Sequence, residues 1–172
     1  MYDLFLSPLV MASALRLMTP VLFAAMGGSF GHKAKVLCLG LESFMAFAAF
    51  FAMYGSYTFE SAYAGLLFGV LSAMIASCIF AVFVLIFKST PVIVGIALNL
   101  AAWGGTTYLL SMIFKTRGVF IDPQIKSFGS IDIPLIKDIP YIGKFLSGQN
   151  ILVYLSLVFM IIAYIIMFKT PF

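Results

Sequence analysis

Two long stretches of the chain, residues 62–87 and 92–114, contain no charged residue. A helix that crosses the hydrocarbon core of a bilayer needs roughly 20 consecutive apolar residues, and each stretch exceeds that length. Three further apolar runs bring the number of predicted helices to five, at residues 4–30, 36–54 and 151–168. The sequence therefore predicts an all-α protein, a transmembrane helical bundle whose chain crosses the lipid bilayer about five times.

The composition excludes several classes of function. Apolar residues make up 63% of the chain and charged residues only 9%, whereas about a quarter of a soluble domain is charged. The formal charge of +4 is too small and too scattered to indicate a nucleic-acid partner. Cys38 and Cys78 lie in apolar stretches without CxxC spacing, so neither a disulfide nor a metal site is expected. No motif for nucleotide hydrolysis, metal catalysis or a nucleophile is present, and we expect no catalytic residue and no cofactor.

Lysine and arginine are unevenly distributed between the connecting segments. One side of the membrane collects basic residues without an acid, namely His32, Lys33, Lys35, Lys88 and Lys169. The other side collects Asp3, Glu60 and the mixed-charge segment 115–150. The positive-inside rule then places the N-terminus outside and the C-terminus in the cytoplasm of a cell-membrane protein. Segment 115–150 becomes an extracytoplasmic loop within a single domain, residues 1–172.

Small residues and one proline predict how the helices pack. Gly65 and Gly69 form a GxxxG pattern, which lets helices approach closely in lipid and favours burial of the third helix against a neighbour. The alternative is that these glycines only dilute a lipid-facing helix. Pro20 lies inside the first helix, where it predicts a kink and a freed backbone carbonyl near Arg16.

Two ionisable residues lie inside predicted helices, where a charge is costly and marks a candidate functional site. Glu42 falls about two turns into a second helix that begins at residue 36, so it needs a partner or a water-filled cavity. It either lies near a transport pathway or hydrogen-bonds between helices. Arg16 pairs with Glu42 if the first helix begins near Leu4, or anchors at the outer surface if that helix begins near Ala14.

A polar stripe follows the fourth helix. Gly95, Asn99, Trp103 and Thr106 recur at helical spacing and therefore share one face. An amide, an indole ring and a hydroxyl on one cavity wall suit an uncharged solute that can hydrogen-bond and stack, such as a nucleoside or a sugar. In the alternative interpretation, Asn99 joins two helices and Trp103 only fills space.

These features occur in an order that resembles the permease subunits of ABC importers for simple sugars and nucleosides, in the branched-chain amino acid and ribose permease superfamily. The resembling segments are LRLMTP at 15–20, AAMG at 24–27, VLCLGLE at 36–42, VGIALNL at 94–100, IPL at 133–135 and IPYIG at 139–143. The chain departs from the family pattern at His32, Cys38 and Ser43. Its last residues, 168–172, are similar to the lead-in to the family's cytoplasmic coupling segment, so we expect a fragment, a split gene or a truncated relative.

The resemblance implies a transport subunit rather than an enzyme. Its partners would be a second permease subunit, cytoplasmic ATP-binding subunits that hydrolyse ATP, and an extracytoplasmic solute-binding protein received in part by segment 115–150. Glu42 and the Asn99 face would lie near the pathway. The competing class is a membrane scaffold or assembly subunit without a pathway of its own, and a membrane-embedded enzyme ranks last because the sequence has no intramembrane histidine or paired acids.

Overall fold

The computed structural model describes residues 8–36, 38–116, 122, 125, 128–131 and 149–169. Within them the chain forms five helices, which we number α1 (Pro8–Lys33), α2 (Leu41–Phe59), α3 (Ala62–Ala81), α4 (Pro91–Phe114) and α5 (Ile151–Lys169). Two short antiparallel strands, β1 (Ser130–Ile131) and β2 (Gln149–Asn150), pair just before α5. The predicted all-α class and the five helices are confirmed.

Four segments in the described part of the chain are long and apolar enough to cross a membrane: Val10–Lys33, Ala62–Ile86, Pro91–Phe114 and Ile151–Lys169. The chain is therefore a polytopic membrane protein. Helix α2 is not among the four. Its first turn holds Glu42, and its last turns hold Tyr54, Ser56, Tyr57 and Thr58, which lower its hydropathy.

The described residues divide into two compact units, one within residues 31–127 and the other within residues 1–30 and 128–172. In the second of these, the rings of Phe23 on α1 and Phe159 on α5 meet edge to face at 6.1 Å. Helix α5 buries Val153, Ser156 and Ala163. Most of the predicted loop at 115–150 lies outside the described residues.

Helix α2 begins at Leu41, so the predicted start at residue 36 is wrong, and so is the predicted end at residue 54. The reason for the late start is a turn after α1, in which the N–H of Lys35 donates to the carbonyl of His32 at 3.0 Å. Lys35 then adopts a left-handed conformation with φ of 59°, which ends helical geometry. As a result Glu42 lies in the first turn of α2, not two turns inside it.

Helices α2 and α3 form an antiparallel hairpin that packs through small residues. A Cβ atom added to Gly65 would lie 2.8 Å from the carbonyl oxygen of Ala52, and one added to Gly69 would lie 3.1 Å from the Ala52 Cβ. Both glycines are buried. The backbones of the two helices therefore touch at a distance that no larger residue permits.

The last turn of α3 widens before the chain reaches α4. Residues Val82–Ile86 form a π-helical turn, and the N–H of Phe87 donates to the carbonyl of Val82 at 3.3 Å. Helix α4 then begins with Pro91 in its first turn, where a missing N–H costs nothing because no helical acceptor precedes it.

The α2–α3 contact predicts a sharp difference between glycines. Gly65→Ala forces a methyl group against the Ala52 carbonyl and should cost about 1–3 kcal/mol of stability. Gly104→Ala on α4 should cost nothing, because a Cβ there meets no atom within 4 Å. Heat unfolding of the two variants in detergent measures the difference, and an unchanged midpoint for Gly65→Ala would contradict this packing.

Candidate functional site

The side chain of Asn99 joins α4 to the beginning of α2. The backbone N–H of Ser43 donates to Asn99 Oδ1 at 3.0 Å, and Asn99 Nδ2 donates to the carbonyl of Leu39 at 3.2 Å. The first N–H groups of any helix lack partners within the helix, and a side chain at the N-cap position usually accepts from one of them. Here the N-cap residue is Gly40, which has no side chain. Asn99 therefore supplies the missing cap from the neighbouring helix.

Two glycines make this contact possible. A Cβ atom on Gly95 would lie 2.9 Å from the Gly40 nitrogen and 3.0 Å from the Leu39 carbonyl carbon. Helix α4 can therefore approach the backbone before α2 only where it has no side chain. Ser43 completes the contact, since its fully buried hydroxyl donates to the carbonyl of Gly40 at 2.6 Å. We call Leu39, Gly40, Ser43, Gly95 and Asn99 the α2 cap.

The remaining two members of the polar stripe lie outside the α2 cap. The indole of Trp103 is 63% exposed, at the edge of the face that α4 buries. The hydroxyl of Thr106 donates to the carbonyl of Ala102 in its own helix at 2.6 Å. The structure therefore brings Gly95 and Asn99 together at α2 but does not bring Trp103 and Thr106 into the same contact. A pathway role for these residues stays a prediction.

Glu42 lies beside the α2 cap, in the first turn of α2, and is exposed. A carboxylate at a helix N-terminus interacts favourably with the helix dipole. Arg16 is exposed on α1 and belongs to the other unit, so its pairing with Glu42 stays a prediction.

Helix α1 continues through Pro20, whose missing N–H removes the helical partner of the Arg16 carbonyl. One residue earlier, the buried Thr19 hydroxyl donates to the carbonyl of Leu15 at 2.9 Å. This hydroxyl bond accompanies the break in the helical ladder that the proline causes.

Sequence reasoning missed Leu39, Gly40 and Ser43. Leu39 and Ser43 contact Asn99 through backbone atoms. Because every residue has these atoms, the residue types do not indicate the contact. The one available signal is Gly40 placed before an apolar run, which indicates an N-cap without a capping side chain. Among the described residues, no three His, Cys, Asp or Glu side chains come together to hold a metal ion.

The α2 cap predicts a local effect of Asn99→Leu. The N–H of Ser43 loses its acceptor, which should cost about 1 kcal/mol and speed amide exchange in the first turn of α2. Thr107→Val is the matched control on α4, because the exposed Thr107 hydroxyl bonds only the carbonyl of Trp103 in its own helix. Hydrogen exchange of peptides across residues 41–44 measures the difference, and equal rates in both variants would argue against the cap.

Over most of its length the chain is similar in sequence to known transport proteins. Residues 10–172 match the family described as branched-chain amino acid transport system, permease component. The nucleoside ABC transporter permease protein NupC of Lactococcus lactis subsp. cremoris (strain MG1363) is 30% identical over 174 residues, which cover 95% of this chain and 53% of that protein. The guanosine ABC transporter permease protein NupQ of Bacillus subtilis (strain 168) is 29% identical over 160 residues, covering 89% of this chain and 50% of that protein.

The chain spans about half the length of these relatives. No solved structure matches it significantly. The resemblance that the sequence motifs indicated is nonetheless confirmed, because the family match extends over nearly all of the chain, α1 to α5 included. The chain belongs to the family of branched-chain amino acid transport system permease components.

Proposed function

We propose that the chain forms part of the transmembrane permease subunit of an ABC importer for nucleosides. The observation that carries this proposal is the family match over residues 10–172 together with two relatives whose names specify nucleoside or guanosine permeases. The polar stripe alone is compatible with either a sugar or a nucleoside. The names of the relatives favour the nucleoside. The solute crosses the membrane without chemical change, so the chain acts as a transport subunit.

The other tasks of the importer belong to partner proteins. Separate cytoplasmic ATP-binding subunits hydrolyse ATP, and a second permease subunit completes the pathway. An extracytoplasmic binding protein delivers the nucleoside to segment 115–150. The absence of a nucleotide-hydrolysis motif from the sequence is consistent with this division of labour.

Trp103 is the first candidate for contact with the nucleoside. A nucleobase is flat, uncharged and polar at its edges, so an indole ring offers it a stacking surface. The indole is largely exposed, whereas the amide of Asn99 is already bonded at both ends within the α2 cap. Asn99 therefore supports the pathway indirectly, by holding α2 against α4, and Trp103 supplies the ring.

The alternative function is a membrane scaffold. It is favoured by the α2 cap and by the glycine contacts of α2 with α3, all of which serve helix packing. A scaffold needs no solute contact, so the two functions differ in what loss of an exposed side chain does to uptake.

The importer function predicts that Trp103→Ala weakens nucleoside uptake. Loss of one stacking contact of about 1 kcal/mol should raise the transport KM roughly fivefold. Leu100→Ala is the matched control, because Leu100 is 71% exposed on the same helix and lies away from the buried face. Uptake of tritiated guanosine is measured in cells that carry the complete importer.

Normal uptake in Trp103→Ala cells would remove Trp103 from the pathway. If cells lacking the chain still take up guanosine normally, while its partner subunits no longer assemble, the scaffold function replaces the importer. Membrane insertion is checked by the amount of chain in the membrane fraction, so that a folding defect is not mistaken for lost transport.

The proposed orientation predicts which helix ends react from outside. In a Cys38→Ala and Cys78→Ala background, Glu60→Cys should react with a membrane-impermeant maleimide on intact cells. Lys88→Cys should react only in inside-out vesicles. Both native residues are exposed and follow helix ends in a left-handed conformation, so the pair is matched in local structure. The reverse labelling pattern would invert the orientation.

A further inference from the structure

Helices α2 and α4 end at the same level but do not begin at the same level. The rings of Tyr57 near the end of α2 and Phe114 at the end of α4 meet at 5.3 Å. Near the other end, Gly40 and Ser43 contact Gly95 and Asn99, so the two helices run parallel along their whole length. Because α4 has 24 residues and α2 has 19, α4 extends beyond the start of α2.

The size of this recess follows from two independent contacts. From Pro91 to the level of Gly95 and Asn99 is about 6–12 Å at 1.5 Å per residue. On the antiparallel α3, the ring of Phe80 meets that of Phe44 at 6.1 Å, and the helical segment continues from Phe80 to Ile86, about 9 Å further. Phe44 itself lies three residues, about 4.5 Å, inside α2, so the two neighbours together place the start of α2 about 4–9 Å inside their own ends.

This recess brings polar groups to membrane depth. Helix α4 and the segment Ala62–Ile86 are each about 36 Å long, which exceeds the roughly 30 Å hydrocarbon core by only a few ångströms at either end. With that overhang shared equally between the two ends, the start of α2 lies a few ångströms inside the hydrocarbon boundary. Non-helical backbone at that depth is tolerated only where protein buries it or water reaches it, and an exposed carboxylate there requires water or a partner.

The α2 cap covers one side of this recess. Gly40 is buried against α4, and Asn99 accepts from the N–H of Ser43. The side chain of Glu42 is exposed, and so is that of Leu39, although the Leu39 Cβ lies 3.2 Å from the position that a Cβ on Gly95 would take. The first-turn N–H groups of Leu41 and Glu42 have no acceptor further back in the helix. An exposed carboxylate and helix-end donors without a helical acceptor call for hydration at that depth.

We propose that the recessed start of α2 opens onto a water-filled vestibule, with Glu42 on its wall. The proposal names one wall of the transport pathway and so rests on the proposed permease function. Asn99 is then a positioning residue that holds the recess open by fixing α2 against α4, and it does not itself contact the solute. Lipid chains reach the outer face of α4, where Leu100 lies, but not the recess.

Cysteine accessibility tests the vestibule. In the Cys38→Ala and Cys78→Ala background of the complete importer, single Glu42→Cys and Leu100→Cys variants are exposed in inside-out membrane vesicles to a charged, membrane-impermeant methanethiosulfonate. The reagent modifies thiols in water far faster than thiols in lipid. We expect Glu42→Cys to react at least tenfold faster than Leu100→Cys, which lies at a similar depth on α4.

Equal rates for the two variants would overturn the vestibule. If Glu42→Cys fails to insert, Leu39→Cys carries the same expectation, because that side chain is 44% exposed at the same end of α2. Labelling needs neither solute nor ATP, so the two proposals fail separately. Uptake is measured with the unaltered chain, in which Glu42 is intact. Slow labelling of Glu42→Cys while the unaltered chain supports guanosine uptake overturns the vestibule alone, whereas rapid labelling when the unaltered chain supports no uptake overturns the importer alone.

Discussion

The need to hydrogen-bond every backbone group inside the hydrocarbon shapes this structure more than any other constraint. A helix satisfies that need along its length but leaves donors unpaired at its start, and α2 starts where its neighbours are still in the membrane. The amide of Asn99 resolves part of the problem by accepting from the N–H of Ser43 and donating to the carbonyl of Leu39. A single side chain from α4 thus stabilises both the end of the turn and the beginning of the helix.

The amide of Asn99 reaches both backbone groups because the backbones of α4 and of the turn before α2 lie close together. Gly95 brings α4 against Gly40, and Gly65 brings α3 against Ala52, so α2 is held on two sides by contacts that exclude any side chain. In lipid the hydrophobic effect does not drive helices together, and dispersion forces between tightly packed backbones take its place. The glycines and the polar cap therefore act together, because the hydrogen bonds of Asn99 form only at the distance that Gly95 permits.

This arrangement separates supporting residues from residues that are free to face a pathway. The polar side-chain atoms of Asn99 and Thr106 are hydrogen-bonded to the protein backbone, whereas the indole of Trp103 and the carboxylate of Glu42 are exposed. The proposed nucleoside permease needs both kinds, since its solute would require exposed polar and aromatic surface while the surrounding helices stay hydrogen-bonded. The spacing that places four residues on one helix face does not distinguish the two kinds.

The sequence by itself determined the helices, because lipid admits few alternatives to an apolar helix and charges collect at its ends. Five helix starts or ends agree within one residue with the hydropathy pattern, including the start of α4 at Pro91 and its end at Phe114. The start of α2 was decided by tertiary structure, since the turn around Lys35 and the reach of Asn99 override an apolar run that begins at residue 36. For the same reason Glu42 lies in the first turn of α2 and not two turns inside it, as the apolar run predicts. Its surroundings depend on where a neighbouring backbone lies, and residue identities do not encode that position locally.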